Sequence, residues 1–349
     1  MVSTYSAEAQ FKGPEHRVHL RTAQEGGALW LDLADAEARA VRIDKDVWRV
    51  VPAGEVAPKF YRPPNMRPLP EPLPGEADTT ELRKVLNLSD EDTFRLLLTY
   101  LSFAIMPDKP YPILAVSGPA GAAKSSFAEF VRATIDPSEV PLFGMPRRED
   151  LPAFAKNNPV LCFDNLSTIN AHLADDLCRL ATGGGLGGRK FYTNDGEATF
   201  NARRPVLLTG INDVATRGDL ADRTIIVRLE KIPEAGRRTD ADVREAFAQA
   251  HPRILAALLD MVVVGLRPTA VARAHARLGT RLVAATAVGA TAILILLTEV
   301  RACAAGAEDA IKPGNWEFWT VGSKIPEPVG LPTTPSRTSP KIESGPGAL

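Results

Sequence analysis

Lys124 and Ser125 close a run of small residues, "SGPAGAAKSS", that could grip a chain of phosphates. The general pattern for such a loop is G-x-x-x-x-G-K-[ST]. Gly118, Pro119, Ala120, Gly121 and Ala122 fill its first part, and Ala123 stands where the second glycine belongs, ahead of Lys124, Ser125 and Ser126. In such a turn, backbone N–H groups and the following helix N-terminus cradle phosphate oxygens. The lysine reaches the β- and γ-phosphates, and the hydroxyl binds Mg2+. The extra methyl of Ala123 is tolerable if its φ is negative.

Forty positions after Lys124, "PVLCFDN" ends an apolar strand in Asp164. An aspartate at that tip can hold the shell of a Mg2+ ion, or it can cap the next turn. Asn165 follows it. A carboxylate there could take the proton of an attacking water, whereas an amide can only orient the water. Hydrolysis is therefore expected to be slow, or to draw its base from elsewhere. Asp175 and Asp176 are weak candidates for that base and read first as a solvated helix face.

"RPVLLTGIND" ends a further strand in Thr209, with Asn212 beyond it. Its hydroxyl could sit near a γ-phosphate or open a hydrogen-bonded loop. "ATRGDLADRTIIVRL" sets Arg217 and Arg223 ahead of another strand, with Arg228 at its end. An arginine there could contact a neighbouring subunit's γ-phosphate or make surface ion pairs. "GGGLGGRKFYTNDGEATF" reads as a glycine run and a hairpin with Asn-Asp-Gly at its turn. Arg189, Lys190 and Tyr192 could touch a nucleic-acid backbone and stack on a base, although the hairpin tip is acidic.

The surrounding pattern says what positions these residues. "VHLRTA", "ALWLDL", "RAVRI" and "VWRVV" read as the strands of a small meander whose core Trp30 and Trp48 fill. The prolines of "APKFYRPPNMRPLPEPLPGE" exclude regular helix and central strand, leaving a linker that packs along the next region. "TFRLLLTYLSFAIM" reads as a buried helix. Strands at "YPILAVSG", "EVPLF", "PVLCFD", "RPVLLTG" and "RTIIVRL" then alternate with helices at "KSSFAEFVRATI", "REDLPAFAKN" and "NAHLADDLCRLA". That alternation predicts an α/β fold, a parallel sheet with helices on both faces. "DADVREAFAQAHPRILAALLDMVVVGL" predicts two further helices.

The expected organisation is a β-rich region over 1–60, a linker over 61–80, an α/β core over 81–235, a helical region over 236–300 and a disordered tail over 301–349. The uncharged run 282–298 reads as a buried helix in preference to a membrane span.

With 349 residues and a formal net charge of −1, bulk charge argues for neither a nucleic-acid nor a membrane partner. Three cysteines without metal-ligand spacing fit a reducing compartment, and the N-terminus lacks the apolar segment of a signal peptide. A cytoplasmic protein is expected.

In this order, "GPAGAAKSS", "VLCFDNLS", "LCRLATGGG", "RPVLLTGIND" and "DLADRTIIV" resemble the phage- and plasmid-type P-loop ATPases related to superfamily-3 helicases, of the AAA+ class. Such ATPases often sit beside, or are fused to, a primase-polymerase. The resemblance spans about Val18 to Arg267 and implies an ASCE-type sheet, Mg-ATP and a hexameric ring. It also implies single-stranded or forked DNA as a partner, a separate primase-polymerase as another, and work in mobile-element replication. By the same resemblance Lys124 and Ser125 are the Walker A pair, Asp164 is Walker B, Thr209 is sensor 1 and Arg223 is a finger. Relatives commonly carry asparagine where Thr209 stands, and beyond Arg267 the pattern departs, as a change of reading frame would make it.

Two other classes remain: an ATP-binding switch or loader with weak hydrolysis, and a small-molecule P-loop kinase. No lid or acceptor motif favours the kinase.

Overall fold

The computed structural model describes residues 15–184, 186–189, 197–200, 202–211 and 218–267. The N-terminal strands are β1 (Val18–His19), β2 (Thr22–Glu25), β3 (Ala28–Asp32), β4 (Ala40–Ile43), β5 (Trp48–Val51) and β6 (Lys59–Phe60). β2 to β5 form an antiparallel sheet in chain order. Gly26 and Gly27 make its first turn at φ +61° and +76°, as a tight hairpin requires. "VHLRTA" is two strands, not one, because β1 pairs in parallel with β6. Between them Arg21 turns inward, its guanidinium 3.0 Å from the buried Asp136 carboxylate.

Trp30 and Trp48 do not share a core. Side chains alternate across a strand, so Trp30 packs with Ala23, Ala28, Ala40 and Val51 on one face. Trp48 joins Leu29, Leu31 and Ile43 on the other, in the main core. Its indole N–H donates to Asp260 at 2.7 Å. The proline-rich stretch runs on without regular helix. It is pinned by Leu69, buried, whose N–H donates to Leu33 O at 2.8 Å.

The remaining elements are α1 (Thr80–Val85), α2 (Glu91–Ile105), β7 (Ile113–Ser117), α3 (Lys124–Ile135), α4 (Leu151–Asn157), β8 (Leu161–Leu166) and α5 (Ala171–Thr182). They continue with β9 (Leu186–Arg189), β10 (Glu197–Phe200), β11 (Val206–Gly210), α6 (Gly218–Ala221), β12 (Thr224–Arg228) and α7 (Asp240–Leu266). β12, β7, β11 and β8 lie side by side, all parallel. Each is apolar at successive positions because both faces are covered. Leu114, Val116 and Leu207 face α2, α3 and α7. Ile113, Ala115, Phe163 and Leu208 face α4 and α5. β9 and β10 form the expected hairpin.

"EVPLF" is not a strand. Phe143 alone bridges to Phe163, at the free edge of β8. Pro141 has no N–H to give to a ladder. Nor do residues 240–266 form two helices. α7 is continuous through Pro252. An internal proline costs a helix about 3 kcal/mol, offset here by one long buried face of Phe247, Ile254, Leu255, Leu258, Leu259 and Val262. α7 is long and apolar enough to cross a membrane, and much of that stretch is buried against α1, α2 and the small sheet. Lys190, Tyr192, Asn212, Arg217, the apolar run 282–298 and the tail 301–349 lie outside the described residues.

Candidate functional site

The glycine-rich loop joins the end of β7 to the start of α3. A Cβ on Gly118 would stand 2.6 Å from Leu229 O, so the chain leaving β12 passes too close for any side chain. Gly121 bends the loop at φ +81°. Ala123 has φ +61° and ψ 34°, in the left-handed region, which overturns the expectation of a negative φ. An alanine held there costs roughly 1–2 kcal/mol. The strain turns the chain so that α3 begins at Lys124.

The start of α3 differs from those of the other long helices. α2, α5 and α7 are capped by side chains: Asp90 on Thr93 N, Asn170 on Leu173 N, Thr239 on Asp242 N. α3 has Ala123 in that place and no side-chain cap. Its first-turn N–H groups and the positive end of its dipole are left for another acceptor. Lys124 Nζ lies across the loop, donating to Gly118 O at 2.8 Å and Pro119 O at 3.0 Å.

Ser125, Asp164 and Thr209 meet. Ser125 Oγ donates to the Asp164 carboxylate at 2.9 Å and 3.1 Å. From the neighbouring strand, Thr209 Oγ1 donates to Asp164 Oδ1 and accepts from the Asn165 backbone N–H at 3.0 Å. The buried Thr209 hydroxyl is thus committed to the Asp164–Asn165 corner. Asn165 sits at φ +57°, where the ladder between β8 and β11 shifts register. Asparagine enters the left-handed region more readily than most residues, so its type has a backbone reason as well as a chemical one. Its side chain is exposed. A cleft of about 530 Å³ opens beside Asp164 and Asn165, and Asp164 is the only titratable group among the described residues lining it.

A hydroxyl and one carboxylate, both hard oxygen donors, suit Mg2+, which keeps most of its waters. Among the described residues no cluster of three or more His, Cys, Asp or Glu is placed to hold a metal, so the site is not a dedicated all-protein cage.

Residues 79–309 match the family described as the actinomycete integrative conjugative element replication protein. The chain belongs to that family. The match takes in the loop, Asp164, Thr209, Arg189, Arg223, Arg228 and Arg237. It also runs past Arg267 to residue 309, so the family continues where the sequence pattern was expected to depart. A reading-frame change at Arg267 is not needed to explain that stretch. The family's description, replication of an integrative conjugative element, agrees with the expected work in mobile-element replication.

No curated protein matches the chain. Among solved structures, the NrS-1 C-terminal region is similar with a TM-score of 0.42 and 12% identity, over 64% of this chain and 65% of that one. A JCV helicase gives 0.29 and 14%, over 66% and 62%. The replication protein therefore spans slightly less than two thirds of either neighbour, and at these scores neither bears on what it does.

The arginines divide between the two ends of the sheet. Arg223 precedes β12, whose residue Thr224 pairs with Ile113 at the start of β7. It is exposed, and its guanidinium donates to Asp219 O at 2.7 Å. Five residues of strand separate it from the loop, roughly 16 Å at ~3.3 Å per residue. Arg228 lies at the loop end, in register with Ser117. Arg189 is in β9.

Sequence reading missed Arg237. Its guanidinium lies 3.5 Å from where a Cβ on Gly121 would stand, beside the loop. It follows β12 and precedes α7 in "GRRTDAD", and nothing local marks it. Only the return of the chain past Gly118 brings it there.

Proposed function

We propose that this replication protein is a Mg-ATP-dependent ATPase, and that hydrolysis drives it along DNA as a helicase or translocase during replication of its element. The observation that carries the reading is the meeting of Ser125 with Asp164 at 2.9 Å beside an uncapped helix N-terminus, with Lys124 at the mouth of the loop. Backbone amides of the loop and of α3 would hold the β- and γ-phosphates. Lys124 exchanges its two carbonyl contacts for phosphate oxygens. Ser125 and Asp164 would hold Mg2+, whose charge would offset that of the phosphoryl oxygens. Thr209 fixes the carboxylate of Asp164 and the backbone of Asn165. The Asn165 amide orients the attacking water, and Arg223 serves the site of a neighbouring subunit in a ring.

The cleft favours one second reading. Among the described residues it holds no carboxylate besides Asp164, so none of them stands ready as a base for the water's proton. A protein that binds ATP tightly and turns over slowly would act as a switch or loader. Single-turnover hydrolysis with and without single-stranded DNA separates the two. DNA-stimulated turnover, abolished in Lys124→Ala with the fold retained, supports the motor. Tight binding without turnover supports the switch. Wild-type affinity and turnover in Lys124→Ala would remove the loop from the site altogether.

A further inference from the structure

A second charged region lies at the other end of the parallel sheet. A cavity of about 690 Å³ opens there between β1, the end of α2 and the chain entering β8 and β11. Five cationic side chains line it, Arg17, Arg21, Lys156, Arg203 and Arg204, with His19 and two carboxylates, Asp108 and Asp136. Both carboxylates are already taken. Asp136 pairs with Arg21, and Asp108 with Arg17. Among the described residues, Lys156, Arg203 and Arg204 have no carboxylate within 4 Å.

Arg203 and Arg204 are half-buried and, among the described residues, bonded only to neutral carbonyls. Arg203 donates to Asp108 O, and Arg204 to Ala155 O and Arg203 O. Taking a guanidinium out of water without a counter-ion is costly. Burial accordingly pulls the Arg204 guanidinium below its usual range. His19 is pushed the same way by burial and by Arg17, which favours its neutral ring. Tyr61 lines the same cavity and is 47% exposed.

We propose that this cleft binds a single-stranded nucleic acid, its phosphodiesters on Arg203, Arg204 and Lys156 and a base against Tyr61. Basic groups interleaved with an exposed aromatic ring are what a strand engages without reading its sequence. A free triphosphate needs amides converging on one point, as in the Gly118–Ser126 loop. Here the charges are strung over the end of α4 and the chain entering β11, which suits phosphates met one at a time. The proposal rests on the DNA-motor reading and gives it a binding surface. It places the polymer at the opposite end of the sheet from the nucleotide.

The test is binding of a fluorescein-labelled oligo-dT to the full chain without ATP, across a range of salt concentrations. Lys156→Ala and Arg203→Ala should each weaken binding and flatten the slope of log K against log salt by about 0.7, one phosphate contact on a single strand. Tyr61→Ala should weaken it about 5- to 150-fold with the slope unchanged. Lys156 is exposed and bonded to nothing among the described residues, so its variant tests the cleft even if Arg203→Ala folds poorly. DNA-free ATP turnover should stay at the wild-type rate in Lys156→Ala and Tyr61→Ala.

Unchanged affinity and slope in these variants, with wild-type protein binding DNA, would overturn the cleft and leave the motor standing. No DNA binding by wild-type protein would overturn both. Retention of a fluorescent free nucleotide by Lys124→Ala protein, lost on adding Arg203→Ala, would make the cleft a small-molecule site and overturn the strand assignment.

Discussion

The two ends of the parallel sheet hold charge in opposite ways. At the end where β7, β8 and β11 finish, the polar groups are poised. Lys124 rests on two carbonyls, Ser125 and Thr209 converge on one carboxylate, and a helix start carries no cap. At the end where those strands begin, the deepest charges are already spent. Asp136 is 1% exposed and lies between Arg21 and Arg132, which also bonds Asn158 and the Val140 and Pro141 carbonyls. That network ties the small N-terminal sheet to the main core. Around it sit the cations that the cleft leaves without carboxylates. In the proposed reading one end exchanges ligands; the other is first a structural joint and then a surface.

The largest effect that would sharpen this contrast belongs to Arg223. It lies at the joint end yet is assigned to chemistry at a loop end, which one chain cannot satisfy by itself. Its planar, permanently charged fork suits the charge spread over a transferring phosphoryl group. Arg223→Ala should bind ATP almost normally and lose ~10³–10⁵ in turnover. Mixing it with Lys124→Ala should recover activity, because a Lys124→Ala subunit still offers its arginine to a neighbour with a whole pocket. No recovery, together with activity per subunit that is flat against protein concentration, would end the ring reading.

Asp136→Ala tests the joint. It leaves Arg21 and Arg132 buried without a carboxylate, and breaking such a pair costs about 3–5 kcal/mol. The denaturation midpoint should fall accordingly, while turnover per folded molecule stays near wild type. A large loss of turnover in protein shown to be folded would mean that the two ends are coupled and the contrast is false.

The smallest effect is at the loop. Ala123→Gly relieves a left-handed alanine but adds freedom to the unfolded chain, for a net gain of about 0.5–1 kcal/mol. That corresponds to a melting temperature higher by roughly 1–3 °C. No rise in a calorimetric scan would show that the strained backbone is not the resting state of the loop.

Much of the loop end was legible because its residues are consecutive or stand at strand tips. Gly118 to Ser126 form one uninterrupted stretch, and an apolar run ending in aspartate declares both the strand and its end. Helix α3 starts at the lysine, where the pattern placed it. Ala123 misled in one respect. A substitution read as harmless at negative φ is held at positive φ, because the surrounding turn fixes the backbone and the methyl has to follow. Asn165 was read only for its chemistry, as a missing base that can orient water, since a register shift between two strands leaves no mark on either one.

The sequence by itself determined the α/β alternation, the positions of the main strands and the small set of polar residues at their tips. Those follow from local rules: two-fold and 3.6-fold periodicity, and the need of a strand end for a turn. Only the tertiary structure decided which strands are neighbours, and hence that Thr209 bonds Asp164 and that Arg237 reaches Gly121. It alone merged residues 240–266 into one helix, where burial along a whole face outweighs one proline. It alone reduced "EVPLF" to a single bridge, since an edge position lets a proline interrupt a ladder at little cost. The cleft at the far end was the least legible part. Its residues come from Arg17, Tyr61, Lys156 and Arg203, far apart in the chain, and whether an arginine is paired or left bare is settled only by which carboxylates the fold brings within reach.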